Sequence, residues 1–204
     1  MSRVDEPLPL LTTELLSEYE GRLRGLGVQV EDGFAPGLGE AEMAAMAAPL
    51  PLELSVETRV WWRWRNGFVP GAPPYGGLIA PGCYLVSLER AVRDHAENRA
   101  LAEEREPGNP DHWWDPLWIP ILSPANGTTI GCDCSVAEGE PSPLHVVWWK
   151  NPDDDAPRRT AGSLGQMVVW WLEAIDSGVW GYDRGARRWT RDWEAVPSER
   201  NGLV

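Results

Sequence analysis

The sequence is poor in histidine, cysteine and phenylalanine, and nearly without lysine. Lys150 is the only lysine, and the rest of the 18 basic residues are arginines. The three histidines, His95, His112 and His145, lack metal-ligand spacing, and each reads as a surface or half-buried polar residue. Three cysteines without a secretion signal do not suggest a disulfide framework. Cys132 and Cys134 sit two apart in an apparent strand and so share a face. Adding His112 or His145 could assemble a zinc site, but C-x-C alone lacks the usual paired knuckles, so these cysteines are expected as buried free thiols, with no metal and no cofactor. No stretch approaches the eighteen or so apolar residues that span a bilayer, and no basic segment precedes an apolar core at the N-terminus. Cytoplasmic residence is the expectation.

Catalytic motifs are missing too. There is no G-x-S-x-G elbow, no Gly-rich phosphate loop ahead of a helix and no H-E-x-x-H pair. Carboxylates are so numerous that no single pair stands out as acid and base. No catalytic residue is expected, and an enzyme is not.

What the chain does have is negative charge and tryptophan. Its 31 carboxylates against 18 basic residues give a net charge of −13. Such a surface repels phosphate backbones and anionic headgroups, which disfavours nucleic acid and membranes as partners, and it attracts a basic protein. The 13 tryptophans include the doublets Trp61-Trp62, Trp113-Trp114, Trp148-Trp149 and Trp170-Trp171. Neighbours on a strand point to opposite faces, and on a helix they diverge by about 100°. Some indoles should therefore be exposed or line a groove, while others replace phenylalanine in the core.

Apolar positions Leu11, Leu15, Leu16, Tyr19, Leu23 and Leu26 predict an amphipathic helix over 10–26, followed by an extended piece at 28–30. A second helix is predicted over 37–48, and a third from the cap Ser55 to a terminator at Gly67. Residues 68–82, rich in proline and glycine, read as loop, and Ser87 caps a long charged helix to about Glu106. Strands follow at 117–122, 128–135 and 144–150. Asn126-Gly127 between the first two signals a hairpin turn, a better reading than the glycosylation sequon that also starts there. Ser163 and Gln166 make a capping box ahead of the stripe Leu164, Met167, Val168, Trp171, Leu172 and Ile175, and Gly178 ends that helix. An edge strand is expected near 188–193. Segregated helices and strands predict one α+β domain, a mainly antiparallel twisted sheet flanked by helices, over 10–183. Residues 1–9 are expected as a lead-in, 68–112 as an insert and 184–204 as a C-terminal tail.

The order of these pieces resembles the SUKH superfamily of fungal Smi/Knr-type cell-wall-assembly regulators and bacterial immunity proteins. Its opening is matched by Pro36-Gly37-Leu38-Gly39-Glu40-Ala41-Glu42, by Leu50-Pro51-Leu52-Glu53-Leu54 and by Trp61-Trp62-Arg63-Trp64-Arg65-Asn66-Gly67. Trp118-Ile119-Pro120-Ile121 and Ile130-Gly131-Cys132-Asp133-Cys134 match its middle strands. Val146-Val147-Trp148, the run Asp153 to Asp155, the Ser163-capped helix and Gly178-Val179-Trp180-Gly181-Tyr182-Asp183 match its close. The matched pieces span about 150 of the 204 residues. The resemblance implies a non-enzymatic, protein-binding α+β domain whose bacterial members inhibit cognate toxins, commonly nucleases or deaminases. It puts partner-binding residues at Trp61, Trp64, Trp118 and Asp133 around a groove, and at Asp153, Asp154 and Asp155 as an acidic loop. Two other expectations are a regulatory scaffold in cell-wall or signalling assemblies and a Trp-lined module for glycans or small ligands.

Overall fold

Short polar side chains set most helix starts. Thr12 accepts the amide of Leu15 and opens α1 (Thr13–Leu26), and Gly27 at φ 96° closes it in the left-handed conformation. These elements belong to a computed structural model that describes residues 7–69, 78–124, 127–149, 157–197, 200 and 203. Val28 leads not into an extended piece but towards one helical turn, α2 (Val30–Gly33), which buries Val30. β1 (Phe34–Pro36) follows, then α3 (Glu40–Ala47).

Ser55 caps α4 (Val56–Trp64) by accepting the amide of Thr58. That helix stops before the expected terminator. The chain turns extended at Arg65 and forms β2 (Arg65–Phe68), antiparallel to β1. Gly67 is needed inside the strand instead: it has φ +83°, and a Cβ there would lie 2.7 Å from the Ser87 backbone nitrogen. The region read as loop also contains β3 (Leu78–Ala80) and reaches β4 (Cys83–Leu85) through Gly82. Ser87 then caps α5 (Leu88–Arg105), as its sequence predicts.

β5 (Trp118–Pro124), β6 (Thr128–Asp133) and β7 (Leu144–Trp148) form the predicted antiparallel meander. Gly127 at φ +85° lies in the expected hairpin turn, while Asn126 falls outside the described residues. Pro120 is tolerated in a central strand because the register shifts by one between Pro120 and Leu122. β8 (Arg158–Arg159), α6 (Leu164–Asp176) and the hairpin of β9 (Trp180–Asp183) and β10 (Arg188–Arg191) complete the elements.

The main sheet runs β3-β4-β5-β6-β7-β8, every neighbour pair antiparallel. Strand alternation sends Ile119, Ile130, Cys132, Leu144 and Val146 to one face, against the layer of α1, α4 and α6. Tyr19, Trp61, Trp171 and Trp180 interlock there, with ring centroids 5.2 to 6.2 Å apart. The opposite face carries a smaller cluster of Trp114, Val147 and Ala102, the last from the C-terminal half of α5. The fold is thus the expected α+β arrangement, an antiparallel sheet flanked by helices. No helix among the described residues is long and apolar enough to cross a membrane.

The segment expected as a tail is packed. β10 pairs with β9, Val196 and Leu203 are buried, and Trp171 Nε1 donates to the Leu203 carbonyl at 2.6 Å. The end of the lead-in is likewise seated at Pro9: the Ser163 hydroxyl donates to the Pro9 carbonyl, and a Cβ on Gly165 would sit 2.4 Å from that carbonyl oxygen. Only glycine lets residues 9–11 cross α6 so closely.

Candidate functional site

The second face of the sheet is covered by α5 and residues 113–117 over part of its width. Where that cover ends, β5, β6 and β7 bring Trp118, Asp133 and His145 together. Trp118 opens β5 directly opposite Asp133, the last residue of β6. His145, on β7, lies across from Gly131, so its ring reaches diagonally over the indole. The two rings stack at 3.9 Å between centroids and 15° between planes. Trp114 supports this pair edge-on, 5.9 Å from Trp118, and stands over Gly131, where a Cβ would lie 2.8 Å from the indole. Trp149 closes the wall at 6.3 Å from Trp114, its Nε1 donating to Thr129 Oγ1.

The polar groups around this wall are arranged unevenly. Asp133 Oδ1 accepts the amide of Ser135 at 2.8 Å, and Asp115 Oδ1 accepts the amide of Leu117 at 2.8 Å. Each carboxylate is fixed by its own loop, which leaves its second oxygen available. Asp133 Oδ2 stands 3.9 Å from His145 Nε2, too far for a hydrogen bond, and that buried nitrogen has no other partner among the described residues. Burial pushes the His145 imidazole below its ordinary 6.5; Asp133 and Asp115 pull it up, and Arg159 pushes it down. The ring is therefore neutral at pH 7. The patch offers an aromatic face and two anchored carboxylates, a chemistry suited to a guanidinium or ammonium group.

The expected partner-binding residues divide between the two faces. Trp118 and Asp133 meet at this patch. Trp61 does not reach it, nor any surface: it is 0% exposed, 6.2 Å from Trp171 in the helical layer. The motif that singled it out by resemblance lies on a helix, and its indole here is a core residue. Trp64, in the same layer, is half-buried and donates from Nε1 to Glu20 Oε2 at 2.6 Å, where Arg24 and Arg65 also bind. Asp153, Asp154 and Asp155 lie outside the described residues.

Two members of the patch were not singled out in the sequence. His145 reads there as an ordinary polar residue, although strict alternation along β7 already puts it opposite the core-facing Leu144 and Val146. Asp115 has no periodic signal, because it lies in the irregular approach to β5. A separate open groove of about 330 Å³ runs along α3, lined by Met43, Ala47, Leu50, Leu52, Leu54 and Arg59. Among the described residues, no group of three or more His, Cys, Asp or Glu side chains is placed to hold a metal ion. No protein-family model matches the chain, and no curated protein matches it.

Proposed function

We propose that this chain is a non-enzymatic protein-binding domain, an intracellular immunity protein that neutralises a cognate toxin of nuclease or deaminase type. The observation that carries this reading is the patch of Trp118, His145, Asp115 and Asp133, an aromatic surface with two loop-fixed carboxylates in a protein of net charge −13. Nuclease surfaces are basic because they bind phosphate backbones. An acidic inhibitor is drawn to such a surface over long range, and its carboxylates pair with arginines at contact. An aromatic anchor beside a charged pair is the usual composition of a binding hot spot. The resemblance of the motif order to SUKH domains supports the same reading.

Deleting this gene while the adjacent reading frame stays intact and expressed should arrest growth, and a plasmid copy should restore it. A copy carrying Asp115→Asn with Asp133→Asn should restore growth less well. Cells that lose the gene without a growth defect, with the neighbour still expressed, would overturn the proposal.

A further inference from the structure

Cys132 and Cys134 fall on the same side of the chain at the end of β6, but in different surroundings. Cys132 is wholly buried in the main core, whereas Cys134, just past the last residue of the strand, is partly exposed. Cys134 Sγ lies 3.9 Å from the Cys132 carbonyl oxygen and 4.0 Å from Thr58 Oγ1, in the first turn of α4. A hydrogen bond from the Cys132 thiol, helped by Ser55 and Thr58, holds the Cys134 thiol below its usual value against the opposing effect of burial. Burial, followed by that same hydrogen bond, pushes Cys132 well above. Cys134 is thus the less buried of the two and the one inclined to ionise, while Cys132, two residues back on the same side of the strand, stays a protonated thiol. Cys83, by contrast, is buried in β4, and desolvation pushes its thiol to about 12.

We propose that Cys132 and Cys134 form a redox-active dithiol that closes an intramolecular disulfide when the protein meets a hydroperoxide. The Cys134 thiolate attacks a peroxide oxygen and breaks the O–O bond, giving a sulfenic acid and hydroxide, or an alcohol from an organic peroxide. The Cys132 sulfur then attacks the sulfenic sulfur. Its proton leaves with the departing hydroxide as water, and the S–S bond forms. Two thiols supply two electrons, and hydrogen peroxide is reduced to two waters.

The geometry makes this a reversible device rather than a permanent staple. Residues two apart in an extended strand have Cα atoms about 6.6 Å apart, at the upper edge of what a disulfide spans. Closure must pucker the chain at Asp133, where Asp133 donates to the Pro143 carbonyl at 2.8 Å and Cys134 to the Leu117 carbonyl at 2.9 Å. A strained disulfide is readily reduced. Asp133 is also a carboxylate of the patch described above, so closure displaces a group on that surface.

The test uses the full chain: treatment with stoichiometric hydrogen peroxide, denaturation, N-ethylmaleimide, and intact and peptide mass. The expected product has lost two hydrogens and takes one maleimide, on Cys83, where the reduced chain takes three. Dithiothreitol restores all three sites. Cys132→Ser should stop at a sulfenic acid on Cys134 that dimedone captures. Three maleimides after peroxide, a disulfide-linked dimer, or a sulfinic acid on Cys134 with Cys132 still alkylated would each overturn the proposal. The unsubstituted chain alone decides the matter, so a variant that fails to fold leaves it decidable.

Discussion

Buried in the first turn of α4, the Glu57 carboxylate accepts amides from separate parts of the chain: Leu11 at 2.7 Å, Gly165 at 2.9 Å and Ser142 at 2.6 Å. It ties the N-terminal segment, the start of α6 and the β6–β7 connection to one helix. Glutamine in its place would keep one oxygen but turn an amide N–H towards another donor. We expect Glu57→Gln to cost about 2 to 3 kcal/mol, read as a lower urea midpoint with an unchanged slope. Nothing in the sequence marks Glu57 among so many carboxylates, since its partners lie 46, 85 and 108 residues away. The Trp doublets were more legible. Trp171 is buried and Trp170 is at the margin under Arg200; Trp149 packs inward while Trp148 is 44% exposed. Trp61 and Trp62 break the pattern, both being 0% exposed, because α4 is covered on two sides and Trp62 Nε1 reaches the Val86 carbonyl at 3.0 Å. A divergence of about 100° keeps one residue out of a single core, but not out of a core that wraps the helix.

At the scale of elements, caps proved the most readable signals. Ser55, Ser87 and Ser163 each accept the amide three residues on, as their positions before apolar runs predict. Even the capping box is altered by context: Gln166 Oε1 accepts the amide of Gly162 rather than that of Ser163. Short strands were not readable. β3 and β4 have three residues each, too few for alternation to show, and their pairing depends on β5, about forty residues later. The C-terminal hairpin was underrated for the same reason, since its partners, Trp171 for Leu203 and Leu78 for Trp189, are remote in sequence. Ending the chain after Asp183 removes β10, Val196 and Leu203, and leaves Trp171 Nε1 unpaired. Two buried apolar side chains at about 1.5 to 3 kcal/mol each, with one orphaned buried donor, should lower the thermal midpoint by roughly 10 to 30 °C. A truncated chain that melts with the full one would show that the hairpin is an accessory.

For the whole molecule, the response to mild acid follows from two histidines, His95 buried and His145 half-buried. Burial, the larger cause in each case, lowers His145 and His95 below their ordinary 6.5. Asp133 and Asp115 oppose this at His145 while Arg159 adds to it; at His95 the Pro116 carbonyl opposes and Arg99 adds. A base with a folded pKa below its unfolded one binds fewer protons when folded. Its stabilising contribution is full above about 6.5 and is lost as the pH falls through that unfolded value towards the folded one. Denaturation midpoints should therefore decline between pH 7 and about 5.5, before most carboxylates titrate. His95→Gln with His145→Gln should flatten the decline. A double variant as pH-sensitive as the parent would place the sensitivity elsewhere.

The sequence by itself determined the charge, the helix starts, the meander and the α+β class, because each is set by composition or by neighbours within a few residues. Tertiary structure alone decided which face of the sheet each tryptophan occupies, that Val196 and Leu203 are buried near the C-terminal end, and that Trp118, His145 and Asp133 meet while Trp61 is enclosed. These outcomes depend on strand register and on contacts between distant segments, whose free energy comes from burial shared by the whole chain and not from any local preference.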